Sequence, residues 1–296
     1  MPENKHAGDA NRITRDYLDS LLIEMRHIGA VAPDTAFTLF GHRFDTPVAT
    51  AALSHLKGLE GSGMVQMAAA CARVNAPCFA GMGDEEELGQ MIATGARVIK
   101  IIKPYADRSM VARRLEAARD LGALAVGMDL DHTFDSLGQP DVVLGHEMAP
   151  YSEASLRALI HQAGLPFVIK GVLSVTDAQK ALQLGASGIV VSHHHGILPF
   201  AAPPLLVLPE IVKAVDGRMQ IFVDCGLKDG YDAFKALALG ADAPCIGRAL
   251  MPALEQEGAE GAANVLSRIT GQLKGAMART ACATLGDLEP GLIRRV

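Results

Sequence analysis

Six short stretches of the sequence carry charged or histidine side chains, four of them together with glycine or serine, and they recur along most of the chain's length. They are residues 100–103, 129–132, 170–171, 192–196, 224–226 and 247–248. Lysine, aspartate and histidine are the residue types that hold and transfer protons in enzymes. Because buried charge is costly without partners, such clustering is hard to explain as core packing and predicts a functional site.

Each of these stretches stands at or near the end of a short apolar run. Eight such runs begin at Pro47, Ala76, Val98, Ala123, Phe167, Gly188, Gln220 and Ala243. Most are apolar without alternation, as expected for parallel strands that are buried on both faces. Helical patterns separate them, so the sequence predicts a (β/α)8 barrel, the TIM-barrel fold of the α/β class. An open doubly wound sheet is the alternative, but no GxGxxG follows the first strand.

Helix signals support this alternation. Residues 84–96 carry acids in the first turn and have a glycine exit at Gly95, while Ser174 and Gly185 are typical N-cap and stop residues. An amphipathic helix is predicted from Thr14 to Ile28, covering the barrel bottom or a neighbouring subunit. Residues 258–282 are predicted to form the closing helix. We therefore expect a single domain over residues 1–296, with an N-terminal helical extension (1–45) and a barrel (46–296).

The ends of predicted strands seven and eight suggest an anion site. Gly226 and Gly247 allow close approach of backbone N–H groups, and Lys228 and Arg248 add positive charge. Barrel enzymes bind phosphate at this position, on the face where their active sites lie. Residues 130–150, the longest irregular segment, follow strand four at the same face.

Bulk composition excludes several classes of function. The 296 residues carry a formal net charge of -6, without the basic excess of a nucleic-acid-binding protein. The five cysteines form no CxxC pair, which favours a reducing compartment. The chain shows neither a signal-peptide pattern nor an apolar run long enough to span a membrane. We expect a cytoplasmic protein.

Three segments resemble the FMN-dependent α-hydroxy acid oxidases and dehydrogenases, the glycolate oxidase and lactate oxidase group. They are residues 165–196, which end in IVVSHHHG, residues 208–241, which contain IFVDCGLKDG, and the sequence IGRAL at residues 246–250. The resemblance is dense over about residues 165–250 and looser on either side. It implies FMN as cofactor and oxidation of a CH–OH group, in a 2-hydroxy acid or a related small molecule, by hydride transfer to flavin N5.

The resemblance also implies residue roles. His194 matches the base that takes the substrate hydroxyl proton, Asp129 its carboxylate partner, and Lys170 the lysine beside the flavin N1–O2 edge. Matches to the family's cofactor-binding positions are Ala52, Leu53, Ser54, Lys100, Lys170, Ser192, Asp224, Gly226, Lys228, Gly247 and Arg248.

Departures from the family pattern concern the substrate. The family reads S-N-H-G-G-R after strand six, and Ile197 stands in place of the arginine that clamps the substrate carboxylate. Gly127 replaces a family threonine, the loop after Asp129 offers no second arginine, and the family's long active-site loop is shortened. Without a cationic fork an α-hydroxy acid loses its main anchor. The candidate replacements are Lys100, Lys103, His193 and His195.

Two other functions stay open on the sequence. One is an FMN enzyme without net oxidation, resembling type 2 isopentenyl-diphosphate isomerase, and the other is a flavin-free phosphate-binding barrel. Three successive histidines lack the spacing of a metal site, so no metal is predicted. An oxidoreductase also needs an electron acceptor, which is oxygen, a quinone or another protein. As in the resembled family, we expect a homo-oligomer.

Overall fold

A computed structural model describes residues 8–296 of the chain. The strands, in chain order, are β1 (Leu21–Ile23), β2 (Phe37–Leu39), β3 (His42–Phe44), β4 (Ala49–Thr50), β5 (Cys78–Ala80), β6 (Val98–Ile102), β7 (Ala125–Asp129), β8 (Val142–Val143), β9 (His146–Glu147), β10 (Phe167–Val172), β11 (Gly188–Val191), β12 (Gln220–Val223), β13 (Ala243–Ile246) and β14 (Ile293–Arg295). The α-helices are α1 (Ala10–Ser20), α2 (Gly63–Arg73), α3 (Glu85–Ala93), α4 (Arg108–Asp120), α5 (Glu153–Ala163), α6 (Val175–Leu184), α7 (Pro204–Val215), α8 (Gly230–Ala238) and α9 (Met251–Arg279).

Eight parallel strands form the central sheet, in the order β4-β13-β12-β11-β10-β7-β6-β5. Its two outer strands, β4 and β5, are joined by the Thr50 N–H bond to the Pro77 carbonyl (3.2 Å) and the Gly81 N–H bond to the Leu53 carbonyl (2.7 Å). The sheet therefore closes on itself, and helices alternate with its strands. The predicted (β/α)8 barrel is confirmed, with every strand at the predicted position.

Strands buried on both faces explain the near-continuous apolar runs. Inside the barrel, the rings of Phe79 and Phe222 meet edge-on with centroids 5.0 Å apart. The hairpin of β2 and β3 closes the N-terminal end of the barrel, where Leu39 and Phe44 pack into the same interior cluster. Positive φ angles at Phe40 (47°) and Gly41 (80°) make the two-residue turn that this hairpin requires.

The N-terminal segment differs from the prediction in three ways. Helix α1 begins after the N-cap Asp9 and ends at Ser20, so the predicted helix from Thr14 to Ile28 is wrong in its second half. The apolar residues that follow form β1, which pairs antiparallel with β14. The extension is therefore only partly helical, since it also contains β1 and the β2–β3 hairpin.

The position of α1 also corrects the prediction. It lies not at the barrel bottom but against the C-terminal ends of the barrel strands, where Arg15 donates to the Gly226 carbonyl (3.2 Å) and to both carboxylate oxygens of Asp232 (2.8 and 3.0 Å). The charged side chain of Arg15 holds α1 in place there, because Asp232 is only 2% exposed and requires a cationic partner.

Other local signals are confirmed. The Ser174 side chain caps α6, and Gly185 ends it in the left-handed conformation. The closing helix α9 is longer than predicted and kinks at Gly258. Residues 130–150 contain a single 3-10 turn (Leu130–His132) followed by the hairpin of β8 and β9. Within residues 8–296, every helix is too short or too polar to cross a lipid bilayer.

Candidate active site

The ends of β7 and β10 place an aspartate beside a lysine. Asp129 and Lys170 are register partners in the parallel pair of β7 and β10, so their side chains leave the barrel mouth side by side. Lys170 Nζ donates to Asp129 Oδ1 at 3.1 Å. Directly after Lys170 the pairing of β10 with β11 shifts register, and Gly171 adopts a φ of +92°. This local kink ends the regular ladder at the lysine.

Asp129 is the electrostatic centre of the site. Its second oxygen, Oδ2, accepts a hydrogen bond from Lys103 Nζ at 2.6 Å. Burial alone would raise the pKa of Asp129, but Lys170, His194 and Lys103 hold that pKa well below its usual range. Burial would lower the pKa of Lys170, but the carboxylates of Asp129, Asp131 and Asp224 outweigh the effect of burial and raise that pKa. Asp129 is therefore an anion and Lys170 a cation at neutral pH.

His194 reaches this centre through an unusual backbone. Both His194 (φ 46°) and His195 (φ 58°) are left-handed, a conformation that non-glycine residues keep only where the surrounding structure enforces it. His194 Nδ1 lies 2.7 Å from Asp131 Oδ1, 3.2 Å from Asp129 Oδ1 and 3.0 Å from Lys170 Nζ. Burial lowers the pKa of His194, but the two carboxylates prevail and raise it above the ordinary value.

A second histidine contacts the first. His132 Nε2 lies 3.0 Å from His194 Nε2, and the rings meet edge-on with centroids 4.2 Å apart. On its other side, His132 Nδ1 lies 2.6 Å from Asp141 Oδ2. In the sequence His132 reads as an ordinary loop histidine, and no local signal indicates that Asp141, nine residues further on, returns to bind it.

A cleft of about 440 Å³ opens beside these groups. It runs along the ends of β10, β11, β12, β13 and β4, which are neighbours in the barrel. Its lining consists of Ala51, Ala52, Leu53, Lys170, His194, His195, Asp224, Cys225, Gly226, Leu227, Lys228, Cys245, Gly247, Arg248 and Ala249. Most residues predicted from the sequence therefore meet in one cavity.

The part of the cleft after β12 and β13 has a different character. Cys225 (φ 69°) and Gly226 (φ 81°) turn the backbone into the cleft, and a side chain at Gly247 would press against Ala51 at 3.3 Å. Arg248 Nη1 lies 2.8 Å from His195 Nε2, and His195 Nδ1 contacts the side-chain oxygen of Asn11 in α1. Glycine backbone and a cationic guanidinium suit an anionic ligand.

Besides Asp129, which contacts the lining residues Lys170 and His194, five predicted residues lie outside the cleft lining. Ser54 Oγ accepts from the Met82 N–H (2.7 Å), and Ser192 Oγ accepts from the His194 N–H (3.0 Å), so both support the backbone around the site. Lys100 Nζ faces the Gly83 carbonyl at 3.5 Å, and burial lowers its pKa to about 8. Lys103 is paired with Asp129, as described above.

His193 is the fifth of these residues. Its ring is buried, with Nδ1 accepting from the Gly196 N–H (2.8 Å) and Nε2 2.8 Å from Thr14 Oγ1. These contacts fix the tautomer with the proton on Nε2 and dock α1 on the strand end. Its geometry is that of a docking residue and not of a substrate ligand.

Four side chains of the site have the donor types of a metal centre. Asp129, Asp131, His132 and His194 each bring one ligand atom within 4.8 Å of the others. However, Lys170 and Lys103 already contact the Asp129 carboxylate and supply the positive charge that a cation would bring. These ion pairs favour proton chemistry for the cluster.

With this geometry established, comparison with known proteins identifies the family. The model of the FMN-dependent dehydrogenase family matches residues 3–155 and 144–295. This chain belongs to that family. The resemblance noted in the sequence is thereby confirmed.

Individual relatives agree with this assignment. The chain is 40% identical over 157 residues to an L-lactate oxidase of Roseobacter sp. (strain GAI101), a match covering 53% of this chain and 42% of the relative. It is 41% identical over 141 residues to a 4-hydroxymandelate oxidase of Amycolatopsis orientalis, a match covering 47% of this chain and 40% of the relative. The aligned regions thus span less than half the length of these relatives.

Solved structures match the whole barrel. A mandelate oxidase variant with (S)-mandelic acid superimposes with a TM-score of 0.87 at 27% identity, covering 98% of this chain and 90% of that chain. A second structure of the same variant, with a monooxide FMN adduct, gives a TM-score of 0.85 at 28% identity, covering 98% of this chain and 92% of that chain.

Proposed function

We propose that this protein is an FMN-dependent oxidoreductase that oxidises the CH–OH group of a 2-hydroxy acid or a closely related compound. The observation that carries the proposal is one cleft holding both halves of the chemistry. His194 and Lys170, each bonded to Asp129, line the same cavity as Gly226, Gly247 and Arg248.

The residues of the cleft fit FMN. The glycine backbone of Gly226 and Gly247, with Arg248 and Lys228, would hold the phosphate. Ala52 and Leu53 offer an apolar wall for the flavin ring, and Asp224 a hydrogen-bond acceptor for the ribityl hydroxyls. Lys170, cationic at neutral pH, would stabilise negative charge on the ring edge. When bound, FMN supplies the hydride acceptor at N5.

His194 is the proposed general base. Its Nδ1 faces Asp131 and Asp129, which leaves Nε2 as the atom that accepts the substrate hydroxyl proton. The two carboxylates stabilise the imidazolium that forms and hold the ring in one orientation. Asp129 therefore acts on the reaction through both His194 and Lys170.

Recognition of the substrate must differ from the family's arginine clamp. Ile197 stands at that position, and three of the four candidate replacements are already engaged: Lys103 by Asp129, His193 by Thr14 and His195 by Arg248. The fourth, Lys100, faces the Gly83 carbonyl. A weaker anchor for a carboxylate is expected, so related alcohols such as hydroxy esters and amides are substrates to test beside the acids.

Anaerobic mixing of the FMN-saturated protein with a panel of hydroxy compounds tests the proposal. L-lactate, glycolate, (S)-mandelate and their methyl esters are suitable members, and loss of the visible absorbance of oxidised flavin is the readout. We expect at least one member to bleach the flavin. A loaded protein that no member bleaches favours the isomerase-like alternative, and a protein that does not retain FMN favours the flavin-free one.

Oxygen, a quinone or another protein as electron acceptor and a homo-oligomeric state stay predictions. The rate at which air reoxidises the reduced protein, compared with the rate for a soluble quinone, tests the electron acceptor. Light scattering measures the oligomeric state.

A further inference from the structure

The contact between the two imidazoles constrains where protons lie. His132 Nδ1 faces the Asp141 carboxylate at 2.6 Å, so this nitrogen carries a proton and donates it. A neutral His132 then has only a lone pair on Nε2. His194 Nε2 lies 3.0 Å away, and two facing lone pairs at that distance would repel.

A proton therefore lies between the two Nε2 atoms. If His194 Nδ1 donates to Asp131, the two rings together carry one positive charge. If His194 Nδ1 instead accepts from Lys170 at 3.0 Å, the Nε2 proton is the ordinary one of a neutral imidazole. Both arrangements keep one proton on the line joining the rings.

The charges around the pair favour the first arrangement. Three carboxylates lie near the rings, those of Asp129, Asp131 and Asp141. The positive groups near the rings are the ammonium groups of Lys103 and Lys170. Three carboxylates and two ammonium groups leave one negative charge, and a single proton held by the histidine pair neutralises it. Such a balance suits a site that is largely buried.

We propose that His132, oriented by Asp141, is a positioning residue that shares one proton with His194 through their Nε2 atoms. The inference rests on the proposed function of His194 as base. The substrate oxygen must displace His132 to reach His194 Nε2. The shared proton leaves with the displaced His132 ring and passes to water, because the His132 side chain is 21% exposed, and this frees His194 Nε2. The substrate O–H bond then breaks as the N–H bond to His194 Nε2 forms, and the electron pair stays on oxygen. When the product leaves, His132 returns and the pair shares the proton taken from the substrate.

Nitrogen-15 NMR of histidine-labelled, FMN-saturated protein without substrate tests this directly. In the wild-type protein the ring signals of His132 and His194 should shift together as the first proton binds. In His132→Phe, which keeps a ring against His194 but removes both nitrogens, the proton affinity of His194 should fall about tenfold. The acid limb of flavin reduction should move to lower pH by the same factor.

Two further variants keep the test decisive. Asp141→Asn should lower the proton affinity of the pair in the same direction with the His132 ring still present. His146→Phe is the matched control, since His146 lies in the same loop and packs edge-on against Tyr105 at 5.5 Å. In this variant the His132 and His194 rings should titrate as they do in the wild type.

Independent titration of the two rings would overturn the proposal. So would an unchanged proton affinity of His194 in His132→Phe. The NMR experiment needs no turnover, so it can fail or succeed whether or not a hydroxy acid reduces the flavin. A panel of hydroxy acids that fails to bleach the flavin contradicts the function alone.

Discussion

The two parts of the cleft are built in different ways. At the ends of β12 and β13 a ligand would meet glycine backbone and the Arg248 guanidinium, an arrangement suited to a fixed anion. At the ends of β7, β10 and β11 it meets His194, whose ring is surrounded by carboxylates and ammonium groups. The first part suits binding of a fixed charge, whereas the second is built to move a proton. Binding of the cofactor and chemistry on the substrate should therefore be separable by mutation.

The largest expected effect comes from removing the base. His194→Ala should retain FMN but reduce the rate of anaerobic flavin reduction by about a thousandfold, the range of a lost general base. Stopped-flow absorbance measures the rate, and His161→Ala, an exposed histidine of α5, is the control. Unchanged reduction by His194→Ala would move the proton chemistry to another residue.

The next effect concerns the helix that covers the anion-binding part. Arg15→Ala leaves the Asp232 carboxylate, 2% exposed, without its main cationic partner, and should lower the free energy of unfolding by about 3 kcal/mol. Urea denaturation followed by circular dichroism gives the value. Lys180→Ala breaks the exposed pair with Glu153 and should cost less than about 0.5 kcal/mol. Equal losses in the two variants would mean that α1 is not held by this ion pair.

Arg248→Ala should affect binding more than chemistry. We expect the dissociation constant of FMN to rise about 30-fold, which corresponds to one lost charged hydrogen bond. Flavin fluorescence titration measures it, and Arg218→Ala, whose guanidinium bonds to the backbone of α7, should bind like the wild type. The FMN that Arg248→Ala retains should still be reduced. Full affinity in this variant would place the phosphate elsewhere.

The smallest effect is a shift along the pH axis. Because Asp129 and Asp131 raise the pKa of His194 above its ordinary value against the effect of burial, its ring stays protonated to higher pH than a solvent-exposed histidine. A base must be neutral, so the rate of flavin reduction should rise as pH rises through this raised pKa and level off above it. If the rate of flavin reduction stayed constant down to a pH below the ordinary histidine pKa, the two carboxylates would not be raising the pKa of His194.

The sequence predicts the anion-binding part better than the proton-handling part. Gly226, Gly247 and Arg248 would bind an anion through backbone N–H groups and one side chain, so their proposed roles follow from strand ends and residue type alone. The contacts of His194 with Asp131 and His132 join segments about sixty residues apart, and Asp141 returns from a loop with no periodic signal. Only the folded loop makes them neighbours.

The N-terminal segment shows a second limit. Its amphipathic pattern correctly predicts a helix, but the helix ends at Ser20 because the next residues pair with β14 at the other end of the chain. Pairing over such a distance leaves no trace in local propensity. His193, predicted as a substrate ligand, lies instead against Thr14 of this helix, a contact that depends on where the helix docks.

We expect a single cleft to place FMN between the Gly226–Arg248 region and the Lys170–His194 pair. A crystal structure of the FMN-saturated protein tests it most directly. We expect density for the phosphate within hydrogen-bonding distance of Arg248, and for the flavin ring against Lys170 with His194 over it. A phosphate bound elsewhere, or a ring that leaves Lys170 and His194 without contact, would contradict this placement of FMN.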